Sequence, residues 1–126
     1  MMAYQLTWQI ADRAILITAH DEFSLSDFGA LTNELVTGYL KVENAPVHLL
    51  LDLSIMEKFP HQLGKIRTVT RDLFQHPALG KIVLVGRVNP LAGCIIDTLA
   101  RTFRVECLSA ASAEDAIRLI EVPALN

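Results

Sequence analysis

The chain lacks most of what specialised surfaces are built from. It contains no run of Lys or Arg, and its formal net charge is −3. An electrostatic grip on nucleic acid or on anionic lipid is therefore not expected. Its longest apolar runs are about five residues, far short of the roughly 20 that cross a bilayer. The opening stretch, MMAYQLTWQIADR, has no basic region followed by an apolar one, so no signal peptide is expected. There are only 2 cysteines, Cys94 and Cys107, each within an apolar pattern. They read as buried thiols rather than a disulfide, and a cytoplasmic setting follows. The histidines, His20, His48, His61 and His76, are scattered, and none is paired at metal-ligand spacing. The stretch VGRVNPLAG is neither Gly-x-Gly-x-x-Gly nor a Walker loop. No metal and no cofactor are expected.

What is present is apolar substance in regular patterns. Of 126 residues, 52% are apolar and 20% charged. That is enough to form one core, so residues 1–126 are expected to make one domain. Tyr4 to Ile10 alternates apolar and polar, the period of a strand with one wet face. The turn Ala11–Arg13 leads into a second strand over 14–20, giving a hairpin. Ser24 and Asp27 form a capping signature ahead of Phe28, Leu31, Leu35 and Tyr39, one stripe of a helix. VHLLLDL, at 47–53, is apolar almost throughout, as is KIVLVG at 81–86. Both read as strands covered on two faces.

Between these strands a second helix is predicted to start after Pro60, with Leu63, Ile66, Val69, Thr70 and Leu73 on its inner side. A third runs from Pro90 to Phe103 behind the cap Asn89, with Leu91, Cys94, Ile95, Thr98 and Leu99 inward. Arg104 to Leu108 reads as the last strand. Ser112 and Asp115 then cap a final helix packed by Ala113, Ala116, Ile117 and Ile120. The order ββαβαβαβα is α/β: a mostly parallel sheet with an antiparallel first strand, right-handed crossovers and four helices.

This order and three stretches within it resemble the STAS domain, the fold of bacterial anti-sigma factor antagonists. DLSIME is similar to the segment that leads into that family's phosphorylation loop. KIVLVGRVNPLAGCIIDTLARTF resembles its strand, loop and helix before the last strand. SAASAEDAIRLI resembles its closing segment. The likeness spans nearly the whole chain. The chain also resembles small standalone bacterial proteins described as STAS-like or lipid-transfer-like. In the antagonists the loop continues as Asp-Ser-Ser-Gly, and one serine is phosphorylated. Here the corresponding positions are Glu57, Lys58, Phe59 and Pro60. The acid is kept, both serines are missing, and Phe59 has no hydroxyl. The resemblance therefore implies a STAS-like module without the usual phosphoserine. Ser54 is the runner-up phosphoacceptor.

The carboxyl ends of parallel strands are where α/β folds place their chemistry. The candidate partner-binding positions are accordingly Asp52, Ser54, Glu57, Lys58, Phe59, His61, Arg87 and Asn89. Each has a plainer reading. Asp52 and Ser54 suit a hydrogen-bonded turn, Asn89 caps a helix, and His61 suits a surface position. Arg87 beside the Asn89 helix start suits an anion, or nothing more than a capped helix. Arg67 and Arg71, spaced i, i+4, suit an acidic partner or a solvated face. Phe59 either anchors an interface or folds onto the core.

No nucleophile stands beside a base, so no enzyme is expected. One would need Asp52, Glu57 and His61 to converge. The expected function is protein binding, with a kinase-type anti-sigma factor or a related signalling protein as the partner implied by the resemblance. The alternative is a carrier of small apolar or lipid-like ligands, which requires a cavity of several hundred Å3 between helices and sheet, lined by residues such as Phe28, Leu35 and Phe59. Tyr4 and Trp8 lie on a strand placed to be a sheet edge, which makes a homodimer plausible.

Overall fold

The computed structural model describes residues 4–54, 56–58, 60, 62–87 and 89–121, with the backbone alone at 21, 56–58 and 121. The chain runs β1 (Tyr4–Ile10), β2 (Ala14–Ala19), β3 (Asp21–Glu22), α1 (Leu25–Gly38), β4 (Val47–Asp52), β5 (Met56–Lys58), α2 (Leu63–Phe74), β6 (Leu79–Val85), α3 (Pro90–Thr102), β7 (Cys107–Ala110) and α4 (Ala113–Glu121). A 5-stranded sheet has the order β1-β2-β4-β6-β7. β1 is antiparallel to β2, and the other neighbours are parallel. This is the α/β architecture that the alternation of patterns implies.

Alternation along the strands divides the core in two. Leu49, Leu51, Ile82 and Leu84 point to the face covered by α1, α2 and α3. Leu50, Val83 and Val85 point to the other, covered by Ala116 and Ile120 of α4. A strand buried on both faces has no polar side, which is why VHLLLDL reads as continuous. The capping box of α1 forms as expected: Ser24 Oγ accepts from the Asp27 N–H, and Asp27 Oδ2 accepts from the Ser24 N–H.

Several boundaries differ from the sequence reading. α2 starts at Leu63 behind Gln62, not after Pro60, and Leu63 is exposed. The inner stripe of α3 is Ala92, Ile95, Ile96, Leu99 and Ala100. Leu91, Cys94 and Thr98 are exposed. The stripe is rotated from the expected one and takes in two small residues, Ala92 and Ala100. Cys94 is thus not a core thiol. The last strand is β7, beginning at Cys107 rather than Arg104. The preceding residues close α3: the Arg104 N–H donates to Arg101 O and the Val105 N–H to Ala100 O, with Arg104 at φ 59°. These are the two reversed bonds of a Schellman ending, with a left-handed residue after the cap.

The register between β4 and β6 slips between Val47 and Leu49, which face Leu79 and Ile82. The additional residue on β6 forms a bulge. His48 occupies it: its Nδ1 accepts the Lys81 N–H at 2.9 Å. A β-carbon added to Gly80 would lie 2.5 Å from His48 Nδ1 and 2.8 Å from Cε1. Glycine is required here so that the ring can lie against the backbone. Burial, together with the positive charges of Lys81 and Arg13, lowers the His48 pKa and keeps the ring neutral.

Candidate functional site

The site begins where β4 runs out. Asp52 ends the strand with Oδ1 accepting both the N–H and the hydroxyl of Ser54, at 3.0 and 2.6 Å. Leu53 between them is buried and anchors the turn to the core. Three residues of backbone then form β5, which pairs in parallel with β3: Asp21 faces Met56, and Glu22 faces Lys58. This small second sheet was not read from the sequence. Two-residue and three-residue strands have no period to detect, and MEK has weak strand propensity.

Because β4 and β6 are neighbours, their carboxyl-end loops are too. Asp52 pairs with Val85, and a β-carbon placed on Gly86 would be 3.9 Å from the Ser54 Cβ. Gly86 takes φ +76°, a conformation glycine adopts freely. Its N–H donates to Ala110 O at the end of β7. Asn89 caps α3 with Oδ1 accepting from the Leu91 N–H at 2.8 Å and the Ala92 N–H at 3.3 Å. Asp52, Ser54, Gly86, Arg87 and Asn89 therefore share the carboxyl end of the sheet. Arg87 and Asn89 are exposed. Glu57 and Lys58 enter through the β5 backbone. Phe59 and His61 lie outside the described residues.

Beside this end, an open cleft of about 470 Å3 runs between α3 and β7, lined by Gly86, Asn89, Cys94, Asp97, Cys107 and Ser109 among others. The sequence reading did not bring these residues together. Cys94 is exposed, while Cys107 is half-buried, with its thiol pushed up to about 11 by burial and by the charge of Asp97. A thiol held protonated is a poor nucleophile. Arg67 and Arg71 are exposed on α2, and Leu63, Gly64 and Arg67 face Thr98, Leu99 and Thr102 across a groove of about 190 Å3. Among the described residues no three His, Cys, Asp or Glu side chains are grouped to hold a metal. No helix among them is long and apolar enough to cross a membrane.

The space between the helices and the sheet is largely filled. The cavity there, bounded by Phe28, Leu35, Leu49 and Thr70 among others, has about 40 Å3. That is room for a water or two, not for an apolar ligand. Phe28 and Leu35 do line it, but they pack it shut.

The course of the chain matches solved structures. The fold is one seen in a solved anti-sigma factor antagonist. The unphosphorylated form of the anti-sigma factor antagonist SpoIIAA superposes with a TM-score of 0.63 at 13% identity, covering 98% of this chain and 100% of that one. The NMR structure of the protein TM1081 follows with a TM-score of 0.56 at 15% identity, covering 97% and 90%. No family model matches the sequence, and no curated protein does. At these identities the SpoIIAA likeness describes the path of the backbone. In the turn of this chain the Ser54 hydroxyl already donates to the Asp52 carboxylate.

Proposed function

We propose that the chain is a non-enzymatic regulatory module, a single cytoplasmic domain over residues 1–126, that binds a protein partner at the carboxyl end of its sheet. The partner class is a kinase-type anti-sigma factor or a related signalling protein. The docking surface comprises Asp52, Ser54, Glu57, Lys58, Phe59, His61, Arg87 and Asn89, with Arg67 and Arg71 on the adjoining helix. The observation that carries this reading is the adjacency of the β4 and β6 loops in a SpoIIAA-like fold: Ser54 lies against Gly86.

The partner is bound without a phosphate switch. A phosphate on Ser54 would bring about −1.5 to −2 charge to a hydroxyl 2.6 Å from the Asp52 carboxylate. Like charges at that distance oppose the modification. On the resemblance, the two serine positions of the antagonists' Asp-Ser-Ser-Gly are occupied here by Lys58 and Phe59.

The test is calorimetric titration of a kinase-type anti-sigma factor from the same organism with the chain, with and without ATP, followed by mass analysis. Binding that ATP does not weaken, on a chain of unchanged mass, supports the proposal. A gain of roughly 80 Da, one phosphate, on Ser54 overturns the absence of a switch. No binding to any kinase of this class overturns the choice of partner.

A further inference from the structure

The two edges of the main sheet are built differently. β7 is 4 residues long, and Glu106 immediately precedes it. β1 is 7 residues long, reads YQLTWQI, and holds no Lys, Arg, Asp, Glu or Pro. Among the described residues β1 is hydrogen-bonded on one side only, to β2. In an antiparallel strand alternate residues direct both N–H and C=O away from the paired neighbour. β1 therefore presents a row of unpaired backbone groups without the charges, prolines or shortness that natural edges use to deter pairing.

We infer that β1 pairs antiparallel with β1 of a second copy, about a two-fold axis at Thr7, joining two sheets into one. The sequence of the strand closes on itself in that register. Thr7 faces Thr7 of the second copy, Leu6 faces its Trp8 and Gln5 its Gln9; the bulge after Trp8 turns Ile10 to the α4 face, so Tyr4 and Ile10 stay outside the matched register. Partners directly opposite share a face, so apolar meets apolar on the helical side and amide meets amide on the other. The burial pattern agrees: Gln5 and Thr7 are exposed, while Leu6 and Trp8 are half-buried against the larger core cluster.

The side chains along the edge fit the same occupant. The Tyr4 hydroxyl donates to Glu34 Oε1 at 2.9 Å, and Trp8 packs on Tyr39 with ring centroids 5.5 Å apart. These contacts tie the strand to α1 and to its C-cap, Tyr39. Beside them runs an open groove of about 440 Å3 lined by Tyr4, Gln5, Leu6, Thr7, Glu34 and Tyr39. In the proposed register the indole of the second copy's Trp8 lies over Leu6, within this groove. The β1–β2 register is regular from Tyr4 to Trp8 and shifts only between Trp8 and Ile10, so the centre of the pairing falls on regular strand.

The experiment is sedimentation equilibrium of the full chain from low micromolar to about 100 µM, alongside Thr7→Lys. Thr7 is exposed, and the substitution brings two like charges together at the axis. The wild type is expected to reach twice the 13.9 kDa chain mass. Thr7→Lys should raise the dissociation constant at least about tenfold with an unchanged circular dichroism spectrum. As a second measurement, hydrogen exchange of β1 amides in the wild type should slow as concentration rises. A wild type that is monomeric throughout, or a dimer indifferent to Thr7→Lys whose β1 amides show no such slowing, overturns the inference.

Discussion

His48 Nδ1 takes the backbone N–H of Lys81 at 2.9 Å, across the bulge between β4 and β6. The acceptor is available only while the ring is neutral at that nitrogen. Burial and the nearby positive charges lower the His48 pKa in the folded chain below its ordinary 6.5. As pH falls below about 6.5, the unfolded chain takes up a proton that the folded chain refuses, so stability declines with acidity. Above that pH the contribution is complete. Urea unfolding between about pH 7.5 and 5 should show the decline. His48→Gln should flatten this slope, and an unaltered slope in the variant would refute the assignment.

Gly80→Ala should cost about 1–3 kcal/mol by overpacking, because its methyl group would meet His48 Nδ1 at 2.5 Å and Pro46 Cβ at 3.0 Å. The double variant with His48→Ala should lose less than the sum of the two single losses, since removing the ring vacates the space. Strict additivity would show that the clash lies elsewhere.

Arg104→Gly should stabilise the chain by up to about 1 kcal/mol. Arg104 sits at φ 59° in the α3 ending, where its β-carbon is unfavourable. Its N–H bond to Arg101 O survives the substitution. A thermal midpoint that falls instead would mean that the arginine side chain contributes more than the strain removes.

The two thiols should differ in reactivity. At pH 8 a thiol of pKa about 11 is ionised to roughly one part in a thousand, so Cys107 should label slowly with a disulfide reagent. Cys94, exposed on α3, should label quickly. Equal rates in the native protein would contradict the burial of Cys107.

Much of this fold was legible in the sequence because burial on both faces leaves a plain trace. VHLLLDL and KIVLVG read as strands covered on both faces, as they are, and Ser24 with Asp27 marked a helix start that the structure reproduces. The α3 face was not legible. Ala92, Ile95, Ile96, Leu99 and Ala100 share a 3.6-residue period with the stripe that was expected, and only close packing selects between them. The β3–β5 pairing has no local signal, since its few hydrogen bonds join segments far apart in sequence. At the site, the Asp52–Ser54 turn and the Asn89 cap were readable from residue type. That the loops after β4 and β6 share the carboxyl end of the sheet was expected from the strand order, and the approach of Gly86 to Ser54 follows from it. Phe59 and His61 lie outside the described residues.

The pairing of β5 with β3 alters what recognition at this end would cost. The backbone at 56–58 is held beside Asp21 and Glu22, two residues before the Ser24 that caps α1. Its preceding turn is held by Asp52 and by the buried Leu53. A partner docking there meets a segment whose conformational entropy was surrendered during folding, not at the encounter. Its association would therefore show a modest entropic penalty and little change in the backbone. Cutting the β3–β5 pairing would weaken binding without removing a single contact with the partner.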